Sequence, residues 1–129
     1  MSLHEKLKGT PLADFDPRKK NKVEELEIID TVVGDGQEVV DGDTITAHYT
    51  GALVTDGSIF ESSRDSGNPA TFGLHQVIDG WTVGVPGMKI GGTRRLVIPA
   101  QMAYGQRRAS AQIGPNSDLV FDIELIAIR

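Results

Sequence analysis

Four Asp-Gly pairs divide most of this chain into short segments, and this punctuation limits the folds open to it. The pairs are Asp35-Gly36, Asp41-Gly42, Asp56-Gly57 and Asp79-Gly80. Asp-Gly is a strong signal for a tight turn, because glycine readily adopts the positive φ angles that hairpin turns require and aspartate tolerates them. Glycine supplies 15 of the 129 residues, well above the usual share of about 7%. Turns this frequent favour short strands over long helices.

The segments between the turns alternate between apolar and polar residues, which indicates strands with one buried face. Residues 44–53 place Ile45, Ala47, Tyr49 and Leu53 on one face and mostly hydroxyl side chains on the other. Further strand candidates are residues 26–33, 94–98 and 119–128.

Residues 79–85 break this alternation. They begin with Asp79, a residue type common at helix N-caps, and they precede Pro86, which cannot continue a helix. We therefore predict two helical turns in this segment. The resulting fold class is α+β, with an antiparallel sheet covering one short helix.

The first 25 residues have a different composition from the rest. They are rich in lysine and arginine and poor in apolar residues, and they lack the basic-then-apolar order of a secretory signal. We predict a flexible, solvated arm over residues 1–25 and a folded domain over residues 26–129. A docked arm or a partner-binding tail is the alternative. Without a visible export signal or a run of about 18 apolar residues, we expect a cytoplasmic protein that does not enter a membrane.

Composition excludes several classes of function. The 13 Lys and Arg residues are outnumbered by 18 Asp and Glu, for a net charge of −5, which argues against a nucleic-acid partner. Since the chain has no cysteine, disulfides and thiol nucleophiles are excluded. His4, His48 and His75 show neither triad nor metal-ligand spacing, and His48 falls on the polar, solvent-facing side of its strand. No acid–base, metal or phosphate chemistry is indicated.

The aromatic residues suggest a binding pocket. Six of the seven lie between Tyr49 and Phe121, and the plain interpretation is that they form the core. Trp81 and Tyr104 fit that interpretation less well, because Trp81 opens a short helix between glycines and Tyr104 begins a loop. An aromatic pocket with a few hydroxyl groups is typical of a site for a small ligand or a peptide.

The order and spacing of several motifs identify a family. From about Leu26 to Ile128, the chain resembles the FKBP-type peptidyl-prolyl cis-trans isomerases, in the form of a short, bacterial-like single domain. The resemblance rests on His48-Tyr49-Thr50-Gly51, Phe60-Glu61-Ser62-Ser63-Arg64, Val77-Ile78-Asp79-Gly80-Trp81, Ala103-Tyr104-Gly105 and the strand Leu119 to Leu125. It implies a five- to six-stranded antiparallel half-barrel wrapped over one short helix.

The resemblance also implies the roles of individual residues. Trp81 forms the floor under a prolyl ring, and the Ile78 amide and the Tyr104 hydroxyl donate hydrogen bonds to the peptide. Glu61 replaces the aspartate usual in the family, so we expect its longer side chain to displace the hydrogen bond with Tyr49. The catalytic set implied is Tyr49, Phe60, Glu61, Ile78, Trp81, Tyr104 and Phe121, and the further substrate contacts are Val77, Ala103 and Ile113.

The implied activity is cofactor-independent rotation of X–Pro bonds, assisting protein folding. The partners are proline-containing peptides and unfolded chains, with no nucleic acid or membrane, and a monomer is expected. Macrolides such as tacrolimus should bind less tightly, because Ala70, Ala109 and Gln112 alter the wall and rim. Arg107 and Arg108 are either solvated or favour an acidic residue beside the proline. The alternatives are a proline-peptide binding module with little turnover, and a passive domain whose arm does the interacting.

Overall fold

The computed structural model describes residues 6–18, 22–107 and 109–129, which contain one antiparallel sheet of six strands and one short α-helix. In chain order the elements are β1 (Glu27–Val32), β2 (Thr44–Leu53), β3 (Ile59–Ser62), β4 (Ala70–Gly73), α1 (Asp79–Gly84), β5 (Thr93–Ile98) and β6 (Leu119–Ile128). The strands follow the spatial order β1-β5-β6-β2-β3, and β4 also pairs with β2. The predicted fold class is confirmed.

The two long central strands have the predicted bounds. β2 pairs with β6 along almost its whole length, from Ile45 opposite Ile128 to Leu53 opposite Leu119. β1 and β5 begin or end within one residue of their predicted limits. β3 and β4 have four residues each, too few for an alternating pattern to reveal them. Alternation therefore finds long strands and misses short ones.

The short helix lies close against the sheet because two of its residues lack a side chain. A Cβ atom on Gly80 would lie 2.6 Å from side-chain atoms of Ile98, and one on Gly84 would lie 2.8 Å from Leu96. The helix ends just before Pro86, as predicted. Asp79 is the first helical residue rather than the N-cap, and Ile78 takes the N-cap position without a side-chain hydrogen bond. This close approach fixes the height of Trp81 above the sheet.

Arg94 joins the end of the helix to the edge of the sheet. Its side chain is buried, and its Nη1 donates to the carbonyl oxygens of Gly84 and Pro86 at 2.8 and 3.1 Å. Nε and Nη2 donate to the Asp30 carboxylate at 2.6 and 3.2 Å. The guanidinium thus satisfies carbonyls that the helix leaves without internal partners. Arg94 links α1, β5 and β1.

The concave face of the sheet and the helix enclose the main core. Its completely buried members come from several strands and from the helix end. The largest of them are Ile45, Leu74, Leu96, Ile98, Leu119, Ile123 and Leu125.

The described residues of the N-terminal segment, 6–18 and 22–25, cover part of the convex face of the sheet, contrary to the solvated arm that we predicted. Leu12 and Val23 are only 7% and 5% exposed. They form a second apolar cluster with residues on the convex side of the strands: Ala52, Val54, Ile59, Val97 and Val120. The cluster accounts for the burial of Ala52 on the face of β2 that turns away from the main core.

Hydrogen bonds to the backbone hold this segment in place. The buried Asp118 carboxylate accepts the Val23 amide at 2.9 Å and the Ala100 amide at 2.8 Å. Arg95 donates to the carbonyls of Ala13 and Asp14 at 2.8 and 2.7 Å. Such contacts involve the backbone of the segment, so they leave no trace in its hydrophobicity, which is why the sequence suggested a solvated arm.

His48 also differs from its prediction. It is partly buried beside the cleft under the N-terminal segment, and its Nδ1 lies 2.9 Å from Ser63 Oγ. His4 lies outside the described residues. No helix in the described part of the chain is long and apolar enough to cross a bilayer.

Candidate functional site

A cleft of about 570 Å³ opens between the concave face of the sheet, the helix and the loop that follows the 3₁₀ turn Ala100–Met102. Nine of the ten predicted site residues line it: Tyr49, Phe60, Glu61, Val77, Ile78, Trp81, Ala103, Tyr104 and Phe121. The structure therefore brings together residues that are up to 72 positions apart, from Tyr49 to Phe121. Most of the predicted site residues therefore form one continuous surface.

Aromatic rings hold Trp81 at the bottom of the cleft. The indole is only 3% exposed. Its ring centre lies 4.9 Å from Phe72, 5.4 Å from Phe121 and 5.7 Å from Tyr49, all in edge-to-face contact. Edge-to-face packing lets the positive edge of one ring meet the negative face of another and adds to the gain from burial. The floor of the cleft is consequently built of packed aromatic rings, and the buried Trp81 Nε1 within it has no hydrogen-bond partner in the described part of the chain.

Gly51 allows the walls of the cleft to close around this floor. It lies on β2 opposite Phe121 of β6 and Glu61 of β3. A Cβ atom at this position would lie 2.6 Å from the Phe121 ring and 2.7 Å from the Phe60 ring. These two rings meet edge to face at 5.8 Å. The glycine in the family-like motif therefore has a packing reason at this site.

Among the hydrogen-bond donors at the cleft, the Ile78 amide, the Tyr104 hydroxyl and the buried Trp81 Nε1 have no partner within the described residues. The Ile78 amide precedes the helix and donates to no acceptor in this part of the chain, although the Ile78 carbonyl accepts from Trp81 and Thr82. The Tyr104 hydroxyl is also unpaired there, and its side chain is 38% exposed. Polar groups placed sparsely on an apolar cleft orient a ligand.

Tyr49 and Glu61 form a hydrogen bond at the edge of the cleft. The Tyr49 hydroxyl donates to Glu61 Oε2 at 2.7 Å, so the longer side chain of glutamate still reaches it. Burial raises the pKa of Tyr49 well above its usual value, and the hydrogen bond and negative charge of Glu61 raise that pKa further. Tyr49 is thus protonated at neutral pH and serves as a donor, not as a base.

Ile113 is the predicted contact that does not line the cleft. It is 5% exposed, belongs to the main core and faces a neighbouring cleft that shares Phe60, Glu61 and Tyr104 with the first. The side chains that our list omitted are Phe72, Gln76, Asp79 and Arg107. Phe72 and Asp79 lie within or beside family-like motifs, and this position in the sequence could have indicated that they belong to the site. Arg108 lies outside the described residues.

The geometry agrees with comparisons to known proteins. The family model described as "FKBP-type peptidyl-prolyl cis-trans isomerase" matches residues 35–126. An "FK506-binding protein" of Neisseria meningitidis serogroup A is 47% identical over 105 residues, which cover 80% of this chain and 95% of that protein. The crystal structure of AtFKBP13 superposes with a TM-score of 0.73 at 44% identity, covering 81% of this chain and 93% of that one.

Other relatives are much longer than this chain. The chain spans 29% of the "39 kDa FK506-binding nuclear protein" of Drosophila melanogaster, at 46% identity. It spans 36% of the "Probable FKBP-type peptidyl-prolyl cis-trans isomerase FkpA" of Neisseria meningitidis serogroup B, at 45% identity. Both matches cover at least three quarters of this chain, 81% and 76%. On the family match, the identities and the shared fold, the chain belongs to the FKBP-type peptidyl-prolyl cis-trans isomerases.

Proposed function

We propose that the chain catalyses cis–trans isomerisation of X–Pro peptide bonds and that the prolyl ring binds in the aromatic cleft above Trp81. One observation carries the proposal. The cleft combines a buried aromatic floor with donors that are unpaired in the described part of the chain, among them the Ile78 amide and the Tyr104 hydroxyl. It provides apolar surface for a ring and hydrogen bonds for the backbone on either side of that ring.

Isomerisation of an X–Pro bond requires no acid or base in such a site. The barrier to rotation about a peptide bond is about 18–20 kcal/mol and arises from resonance, so no covalent bond breaks. A water-poor aromatic cleft disfavours the charge-separated planar amide relative to the twisted amide. Only such differential binding lowers the barrier. A preference of about 5–8 kcal/mol for the twisted form would accelerate rotation by roughly 10⁴–10⁶-fold, without a cofactor.

The roles follow from the positions of the side chains. Trp81 supports the ring from below, and Phe60, Phe121 and Val77 surround it. The Tyr104 hydroxyl and the Ile78 amide would each donate a hydrogen bond to the backbone of the bound peptide. Glu61 holds the Tyr49 hydroxyl at 2.7 Å, which orients that hydroxyl at the edge where the rotating carbonyl would lie. Ala103 contributes apolar surface at the rim.

An exchange assay on an X–Pro peptide tests this function directly. Protease-coupled or NMR exchange rates would be compared for wild type, Trp81→Leu and Tyr104→Phe. We expect wild type to exceed the uncatalysed rate, Trp81→Leu to lose about tenfold or more in kcat/KM, and Tyr104→Phe to lose a few-fold, as one hydrogen bond is removed. Exchange at the uncatalysed rate with the peptide still bound would contradict catalysis and identify a recognition module instead.

The recognition module remains the second candidate, since it would use the same cleft. Its rationale was that Glu61 would disturb the hydrogen bond to Tyr49, and that bond is formed. The structure thus gives catalysis the stronger support. A passive domain with an interacting N-terminal arm has less support, because Leu12 and Val23 of that arm pack in the second apolar cluster and Arg95 binds its backbone.

The proposal extends to the ligands of the protein, its location in the cell and its oligomeric state. We propose proline-containing chains as substrates and FK506-type macrolides as inhibitors, with reduced affinity because Ala70, Ala109 and Gln112 change the wall and rim. Calorimetric titration with tacrolimus would measure that affinity. Cytoplasmic location and a monomeric state stay predictions, and one matched relative is named as a nuclear protein. Cell fractionation and light scattering would test them.

A further inference from the structure

A second cleft adjoins the aromatic cleft and opens toward the N-terminal segment. Its volume is about 450 Å³, and Phe60, Glu61 and Tyr104 form the wall that the two clefts share. Lys6 and Lys8 line the side that the N-terminal segment contributes. A peptide that leaves the aromatic cleft across this wall enters the second cleft directly.

The fold directs the two lysines to this cleft. Asp65 accepts the Leu7 amide at 2.6 Å and the Lys8 amide at 3.0 Å, which fixes the backbone between the lysines. The Gly9 amide continues this attachment with a 2.7 Å hydrogen bond to the Ile59 carbonyl. The Leu7 side chain lines a different cleft, under the segment, and packs against the second apolar cluster. Leu7 therefore anchors the segment while its two neighbours face the second cleft.

The lysines and the carboxylates of this cleft are used differently. Asp65 binds backbone amides of the segment, and Glu61 accepts the Tyr49 hydroxyl at 2.7 Å. Neither Lys6 nor Lys8 forms a salt bridge or a side-chain hydrogen bond with any residue that the structure describes. Both lysines are exposed at the mouth of the cleft. Two ammonium groups are consequently available to a ligand, whereas the two carboxylates already have donors.

We propose that the second cleft binds substrate residues that flank the proline, and that Lys6 and Lys8 make it select chains with an acidic side chain there. This inference rests on the proposed isomerase function, since it assumes that a prolyl ring occupies the aromatic cleft. Arg107, in contrast, lines the aromatic cleft itself and would act nearer the proline. Exposed charge pairs are individually weak and are screened by salt, so the selection should be clearest at low ionic strength.

A peptide scan tests the proposal. Each fluorescently labelled peptide would have a central proline and a single Glu or Gln at one of the four positions before the proline or the four positions after it. Dissociation constants would be measured by fluorescence anisotropy. The proteins are wild type, Lys6→Gln/Lys8→Gln, the charge-reversed Lys6→Glu/Lys8→Glu, and Lys22→Gln/Lys89→Gln. The last variant is a control that removes the same net charge from exposed sites outside both clefts.

At one or more positions beyond the immediate neighbour of the proline, we expect wild type to bind the Glu peptide about three- to tenfold more tightly than the Gln peptide, an effect of the size given by two exposed charge pairs. The Lys6→Gln/Lys8→Gln variant should bring this ratio close to one, Lys6→Glu/Lys8→Glu should invert it, and the control should keep it. An absent preference, or one that survives both lysine variants, would overturn the proposal. The peptide scan measures binding alone. Failure of catalysis would appear separately in the exchange assay, where every peptide would exchange at the uncatalysed rate.

Discussion

The two faces of the sheet are covered in different ways. On the concave face, large apolar side chains and aromatic rings pack under α1 and form the larger of the two apolar clusters. On the convex face, a few smaller side chains around Leu12 and Val23 form a thinner layer. Much of the attachment on that face comes from Asp118, Arg95 and Asp65, whose side chains bind the backbone of the N-terminal segment.

The difference separates the concave core, which maintains the fold, from the convex layer, which positions part of the substrate surface. The concave core holds the aromatic cleft, so damage to it should affect stability and turnover together. The convex layer holds the N-terminal segment, which supplies Lys6 and Lys8 to the second cleft. Damage to this layer should loosen the segment at a smaller cost in stability, because a segment with few apolar contacts can open locally.

The largest effect should come from truncating matched leucines on the two faces. Leu96 is 0% exposed beneath α1, and Leu12 is 7% exposed on the convex face. Leu→Ala substitutions in cores cost about 2–5 kcal/mol. We expect Leu96→Ala to lower the free energy of unfolding by about 3–4 kcal/mol, within that range. Leu12→Ala should lose about 1–2 kcal/mol, because detachment of the segment limits the loss. Urea denaturation measures both, and equal losses would contradict the comparison.

The next effect concerns Asp118, which joins the convex layer to the turn that follows β5. Its two oxygens accept the amides of Val23 and Ala100. In Asp118→Asn, one acceptor is replaced by an NH₂ group, so one of the buried amides loses its partner. We expect a loss of about 1–3 kcal/mol, with faster hydrogen exchange at either Val23 or Ala100. Asp35→Asn, at an exposed turn, is the matched control. A loss no larger than that of the control would show that water replaces the bond readily.

The concave face could be predicted from the sequence, whereas the convex face could not. Strands β2 and β6 alternate over ten residues, so their bounds were found, and the break in alternation between Asp79 and Pro86 indicated the short helix. The covering of the convex face depends on Asp118 and on carbonyl groups that bind Arg95. Such side-chain to backbone contacts join residues 81 to 95 positions apart and have no local pattern.

The sequence also indicated most of the residues that line the aromatic cleft. Its aromatic residues lie in motifs of recognisable spacing, and all of them except Phe72 were assigned to the site. Ile113 was placed in the cleft by resemblance, but its side chain turns into the core and toward the second cleft. The second cleft itself was not predicted, because Lys6 and Lys8 reach it only through the docking of the N-terminal segment.

A smaller effect tests how the cleft accommodates Glu61. Because Glu61 already accepts the Tyr49 hydroxyl at 2.7 Å, shortening it should bring no gain in alignment. We expect Glu61→Asp to change kcat/KM by less than about threefold, which corresponds to less than about 0.7 kcal/mol in the barrier. Tyr49→Phe, which removes the same hydrogen bond from the other side, provides the comparison. A gain of several-fold in Glu61→Asp would revive the binding module as the better description of the natural chain.

A comparably small effect concerns the ion pair where the N-terminal segment meets β1. Arg18 donates to both oxygens of Glu27 at 2.6 and 2.8 Å, and this hydrogen bond is the main reason that the pKa of Glu27 lies below its ordinary value of 4.5. A carboxyl whose pKa is lowered by folding stabilises the protein above its unfolded pKa, and the contribution disappears as pH falls through the lowered folded value. The two side chains remain 34% and 38% exposed, so the contribution should be below about 1 kcal/mol.

Glu27→Gln should therefore be slightly less stable than wild type at pH 7, and the difference should shrink when urea denaturation is repeated at steps below the ordinary pKa of 4.5. Glu25→Gln removes an exposed carboxyl that has no ion pair within the described residues, and it controls for net charge. Added salt should reduce the difference at pH 7, since the pair is exposed. A difference that persists unchanged in acid would mean that Glu27 acts through packing, and that contacts to the backbone alone hold the segment on the sheet.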